Sequence, residues 1–116
     1  MIFIIGGHAS GKLEYVINEL NYNEEDIAIA ELDEKPVLAN LHDLVRNEKP
    51  LNELLDRLLN KEVITCDEVG CGVIPLDKKD RDYRETVGRI CIELAKHADK
   101  VVRIYSGIPT VIKEKR

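Results

Sequence analysis

The chain has 116 residues, 44% of them hydrophobic, and a formal net charge of −5. That length suits one compact domain with a core of its own. The acidic balance excludes the basic stripe that a nucleic-acid surface needs, while a single nucleotide, asking for only one or two local cations, stays within reach.

Met1 to Ile5 is a short apolar, β-branched run closed by Gly6-Gly7, the pattern of a strand buried on both faces in a parallel sheet. It has no basic leader and no cleavage site, and no run approaches the roughly 20 apolar residues of a membrane span, so a soluble, cytoplasmic protein is expected. Leu13, Val16, Ile17 and Leu20 then fall at helical spacing from Lys12 to Leu20. Asp26 to Ala30 reads as a second strand, followed by an acidic loop from Glu31 to Pro36. The spacing of Val37, Leu38, Leu41 and Leu44 predicts a helix over 37–46, and Pro50 suits the first turn of another, striped by Leu51, Leu54, Leu55 and Leu58. Glu62 to Cys66 is a third strand, stopped by Asp67-Glu68 and a loop with Gly70, Gly72 and Pro75. Asp80 is placed to cap a long helix from about Arg81 to His97. Lys100 to Tyr105 is a fourth strand, and Ser106-Gly107-Ile108-Pro109 turns into an extended piece over 110–112. Cys66, Cys71 and Cys91 form no CxxC pair and suit reduced, buried thiols.

Gly6-Gly7-His8-Ala9-Ser10-Gly11-Lys12 matches G-x-x-x-x-G-K, with a strand before it and a helix after it. Glycines let successive backbone N–H groups turn inward around a phosphate, and the lysine reaches the terminal phosphates. Together with the strand and helix alternation, the loop predicts an α/β fold, a P-loop NTPase-like three-layer sandwich with a mainly parallel sheet, in a single domain over 1–116. The residue after the lysine, normally a Mg²⁺-holding Ser or Thr, is Leu13, which cannot coordinate a metal. Mg²⁺ must then rest on carboxylates and water. Asp67 and Glu68 follow an apolar strand as in a Walker B segment, with Asp67 the candidate metal ligand. A solvated turn is the plain alternative for this pair.

The linked blocks Asp67-Glu68-Val69-Gly70-Cys71-Gly72-Val73-Ile74-Pro75, Arg81-Asp82-Tyr83-Arg84-Glu85, Gly88-Arg89, Ala98-Asp99 and Ser106-Gly107-Ile108-Pro109 resemble the bifunctional adenosylcobinamide kinase/adenosylcobinamide-phosphate guanylyltransferase family of cobalamin biosynthesis. Its phosphate loop, G-G-x-x-S-G-K-S, is similar to Gly6 to Lys12, Ser10 included. The resemblance is close over 1–20 and 62–113 and departs in the middle. There the family's Trp and Thr are absent, and a strand with its own Asp and a flanking helix are expected to be deleted. In the family a His on the helix after the second strand accepts a guanylyl group, and His42 with Arg46 keeps the His-x-x-x-Arg spacing. Cys91-Ile92 replaces the family's Asn-Gln after Gly-Arg.

The resemblance implies phosphoryl transfer from ATP or GTP to adenosylcobinamide, with Lys12, Asp67 and Glu68 catalytic, residues 6–13 and Arg46 on the nucleotide, and residual guanylyl transfer through His42. His8, at a variable loop position, is a phosphate contact or a bystander, and the residues around His42 read more simply as those of an ordinary polar position on a helix. Leu13 and the shortened middle favour an alternative, a non-catalytic nucleotide- or corrinoid-binding protein. A homo-oligomer, with a trimer the form suggested, also rests on the resemblance alone.

Overall fold

A computed structural model describes residues 1–47, 51–68 and 77–115. The glycine-bearing loop after Glu68, Cys71 and Pro50 lie outside the described residues. The chain runs β1 (Ile2–Gly6), α1 (Lys12–Asn18), a 3₁₀ turn (Glu24–Asp26), β2 (Ile27–Ile29), β3 (Val37–Ala39), α2 (Leu41–Asn47), α3 (Leu51–Leu58), β4 (Val63–Asp67), α4 (Lys78–His97), β5 (Lys100–Tyr105) and β6 (Ile108–Glu114). The six strands form one sheet in the order β2-β3-β4-β1-β5-β6. All neighbours are parallel except β5 and β6.

β1 lies between β4 and β5 with helices packed on both of its faces, which is why it reads as an unbroken apolar run. One face packs Ile4, Val63, Val102 and Ile104 against Val16 of α1. The other packs Phe3, Leu38, Ile64 and Val101 against Leu41 and Leu44 of α2, Leu54 and Leu58 of α3, and Val87, Ile90 and Leu94 of α4. The result is the expected α/β three-layer sandwich, thin on the α1 side and thick on the other. Because β1 and β4 pair from Ile2↔Val63 to Gly6↔Asp67, the phosphate loop and Asp67 leave the sheet side by side.

Residues 37–39 are a strand and not the start of a helix. Val37, Leu38 and Ala39 are all fully buried, which a strand between two covered faces achieves and a one-faced helix does not. Asn40 then adopts φ 60, a left-handed conformation that asparagine tolerates well, and the helix starts only at Leu41. A short apolar run followed by a helical stripe mimics one longer helix, and periodicity alone does not separate the two.

Among the described residues no strand lies between α2 and β4, where the family's extra strand was expected to be missing; the strand not foreseen, ahead of His42, is β3. What is short is the connection before it, since β2 and β3 are parallel neighbours joined only by residues 30–36. Such a crossover ordinarily takes a dozen or more residues and a helix. Here the buried Lys61 holds the short loop by donating to the carbonyls of Asp33 and Lys35. α4 also starts earlier than its spacing suggests. Asp77, not Asp80, caps it, accepting from the Lys79 N–H at 2.8 Å. β5 and β6 form a hairpin whose turn residues Ser106 and Gly107 have φ 48 and 77, the mirror-image turn that suits strand twist. No helix among the described residues is long and apolar enough to cross a membrane.

Candidate active site

The loop from Gly6 to Lys12 is shaped by a glycine with no room for a side chain. A Cβ on Gly6 would stand 2.5 Å from both the Ile104 carbonyl oxygen and Ser10 Oγ. Ala9 and Gly11 take φ 55 and 99, so the loop turns back on itself before α1. The hairpin turn closes its flank, the Gly107 N–H donating to the Ser10 carbonyl at 2.8 Å. Beside it opens a cleft of about 460 Å³ lined by loop residues 8–14 together with Asn40, His42, Asp43, Thr65, Asp67 and Gly107.

Lys12 is buried, and its ammonium donates to the Gly7 carbonyl at 2.7 Å and pairs with Asp67 Oδ1 at 2.7 Å. The second carboxylate oxygen of Asp67 faces two imidazoles, His42 Nε2 at 3.4 Å and His8 Nδ1 at 3.5 Å. Burial by itself would push this carboxyl up. The Lys12 hydrogen bond and charge, with the two imidazoles beside the carboxylate, outweigh it and hold Asp67 below the usual carboxylate range.

Consecutive residues at a strand end point to opposite faces, and this separates Asp67 from Glu68. Asp67 shares the α1 face with Thr65 and enters the cleft. Glu68 takes the other face, where its carboxylate receives a two-point hydrogen bond from Arg103 at 2.7 and 3.2 Å. Arg46 is likewise away from the cleft lining, its guanidinium 4.2 Å above the Tyr83 ring. Leu13 lines the cleft and packs on the α1-side core, so the residue that lacks a metal ligand serves the core. His8, by contrast, is almost wholly exposed.

His42 is in the cleft, but on a different element from the one expected. It opens α2, the helix after the third strand, and no helix follows the second. The carry-over of the family's guanylyl-accepting His to this position thus loses its positional match, because the short β2–β3 crossover has no helix to carry one.

Asn40, Asp43 and Thr65 were not legible as cleft residues. Thr65 offered one signal, its place two residues before Asp67 on the same strand face; its Oγ1 accepts from the Asn40 N–H at 3.1 Å. Among the described residues no group of three or more His, Cys, Asp or Glu is arranged to hold a metal. Mg²⁺ commonly takes only one or two carboxylates and keeps its other places for phosphate and water. Asp67 beside the glycine-rich loop fits that mode.

Residues 32–112 match the family model described as cobinamide kinase / cobinamide phosphate guanyltransferase. The match takes in β3 and α2, where the motifs looked most altered, and begins beyond the phosphate loop. The bifunctional adenosylcobalamin biosynthesis protein CobU of Salmonella typhimurium is 40% identical over 53 residues, which is 46% of this chain and 29% of that protein. The aligned part therefore spans less than a third of that relative's length.

Proposed function

Since the chain belongs to the cobinamide kinase / cobinamide phosphate guanyltransferase family, residues 32–112 being well over half of its 116, we propose that it is a nucleotide-dependent kinase of cobalamin biosynthesis or salvage. The γ-phosphoryl group of ATP or GTP passes to the aminopropanol hydroxyl of adenosylcobinamide. The observation that carries this reading is the Lys12–Asp67 pair, 2.7 Å long, set where a glycine-rich loop and a strand-end carboxylate share one cleft.

On nucleotide binding Lys12 leaves Asp67 for the terminal phosphates, whose charge it and the loop amides stabilise as the transfer proceeds. The acceptor oxygen bonds to phosphorus as the bridging P–O bond breaks. The nucleoside diphosphate leaves, and the hydroxyl proton is released to water in the open cleft. Mg²⁺ would supply charge neutralisation on the phosphates, and Asp67 is the residue that would hold it.

One observation favours a second reading. Leu13 gives the metal no hydroxyl, which suits a protein that binds nucleotide or corrinoid without transferring phosphate. Titration calorimetry with ATP and GTP, with and without Mg²⁺, together with mass spectrometry of cobinamide incubated with each, separates the two. Phosphorylated cobinamide with Mg²⁺-strengthened binding is expected. Tight binding indifferent to Mg²⁺, with no phosphorylated product, would establish the binding protein instead.

A further inference from the structure

We infer that His42 is a positioning residue that holds Asp67 by its backbone N–H and packs against its carboxylate, and is not an acceptor of a transferred group. β3 ends at Ala39, so the last N–H of β4 on that side, that of Asp67, has no strand partner. His42 Nδ1 takes its place, accepting from the Asp67 N–H at 3.1 Å. A ring nitrogen that accepts an N–H carries no proton of its own, so the neutral ring holds its proton on Nε2. Nε2 stands 3.4 Å from Asp67 Oδ2 and 3.5 Å from Asp43 Oδ2. The ring thus holds the Asp67 backbone by a hydrogen bond and lies against its carboxylate. No lone pair remains for nucleophilic attack, one being engaged by the Asp67 N–H and the other nitrogen being protonated.

The ring is also well anchored. Its side chain is 13% exposed, and the Tyr83 hydroxyl donates to the His42 carbonyl at 2.6 Å, tying the start of α2 to α4. His8, the other imidazole on Asp67, is 94% exposed and has no such support. When Lys12 turns to the phosphates, His42 is the contact that keeps the Asp67 carboxylate aimed into the cleft. This role in turnover rests on the kinase reading; the grip on Asp67 does not.

The test compares His42→Asn, His42→Gln and His42→Ala in the full chain. Asn presents an oxygen near the place of Nδ1, whereas Gln mimics Nε2 and Ala neither. Hydrogen exchange at the Asp67 amide, read by NMR, is expected to quicken at least about tenfold in Ala and Gln and to stay near wild type in Asn. Nitrogen-15 spectra of the wild-type ring are expected to place the proton on Nε2. With cobinamide and nucleotide, kcat falls about 10- to 100-fold in Ala and Gln, the usual cost of losing a group that orients a ligand-holding residue, with KM for nucleotide little changed and Asn recovering most of the loss. A proton on Nδ1, or equal amide exchange in all three variants, overturns the inference. Acid-labile label from α-labelled GTP that is lost in every variant would also overturn it and restore the acceptor role. A wild type that phosphorylates nothing while the exchange pattern holds refutes the kinase and leaves the grip standing.

Discussion

The Lys12–Asp67 pair lends itself to a double-mutant cycle with Lys12→Met and Asp67→Asn. Nζ and Oδ1 are 2.7 Å apart, with side chains 7% and 17% exposed. At an effective dielectric constant of about 20, unit charges at that separation attract by about 6 kcal/mol. Desolvation takes back most of this, several kcal/mol for each ion. Removing one partner of a fully buried pair costs about 3–5 kcal/mol, but the cleft is open to water, so Lys12→Met should cost about 2. Asp67→Asn leaves the ammonium its Gly7 carbonyl, and about 1.5 kcal/mol, the low end for a hydrogen bond to a charged group, is the expected loss. The double variant should lose no more than Asp67→Asn alone, a coupling energy of about 2 kcal/mol. Urea unfolding of the four proteins at unchanged m-value measures it. A coupling below about 0.5 kcal/mol refutes the pairing and, with it, the claim that nucleotide must draw Lys12 away from Asp67. The cycle has a binding arm as well. Asp67→Asn removes a carboxylate facing the phosphates and frees Lys12, so Mg²⁺-free nucleotide should bind more tightly while the gain from Mg²⁺ disappears.

The acid limb of stability should carry the same signature. The folded Asp67 carboxyl lies below its unfolded value of about 3.9, so its contribution is complete above that pH and lost as pH falls through the folded value. The stability gap between wild type and Asp67→Asn, measured by urea unfolding, should be flat near neutrality and shrink below about pH 4; a gap unchanged at about pH 2.5 contradicts this. In the phosphate loop, Gly6→Ala drives a methyl to 2.5 Å from the Ile104 carbonyl and should lower stability by about 1–3 kcal/mol, whereas Gly7→Ala meets nothing within 4 Å and should melt within a few degrees of wild type. Leu13→Ser exchanges core contact for a metal ligand, so about 1–2 kcal/mol of stability should be lost while Mg²⁺ strengthens ATP or GTP binding more than in wild type. The Cys66 thiol is pushed up by its contact with Cys91 Sγ at 3.9 Å and by burial, so iodoacetamide with peptide mapping should label Cys66 only after unfolding.

Residues contiguous in sequence were legible because their chemistry is local. The apolar strand, the glycines, Lys12 and the helix after it define the phosphate loop within the first 18 residues, and backbone sterics there need no distant partner. Asp67 was legible for a related reason, an acidic residue ending a buried apolar strand. The helix drawn over 37–46 failed because Val37 and Leu38 satisfy a helical stripe as well as a doubly covered strand, and only pairing with Val63 and Ile64 decides between them. Asp67 and Glu68 look equivalent on paper. Strand alternation separates them, since it sends one side chain to Lys12 and its neighbour to Arg103.

By itself, then, the sequence determined a P-loop α/β domain, its phosphate loop and its family. Tertiary structure alone decided that the β2–β3 crossover is short, that residues 37–39 are a strand, and that His42 meets Asp67 across 25 residues of chain. Those facts depend on where one strand stops and its neighbour continues, because an N–H left unpaired at that step needs an acceptor. Spacing along the chain holds no record of it.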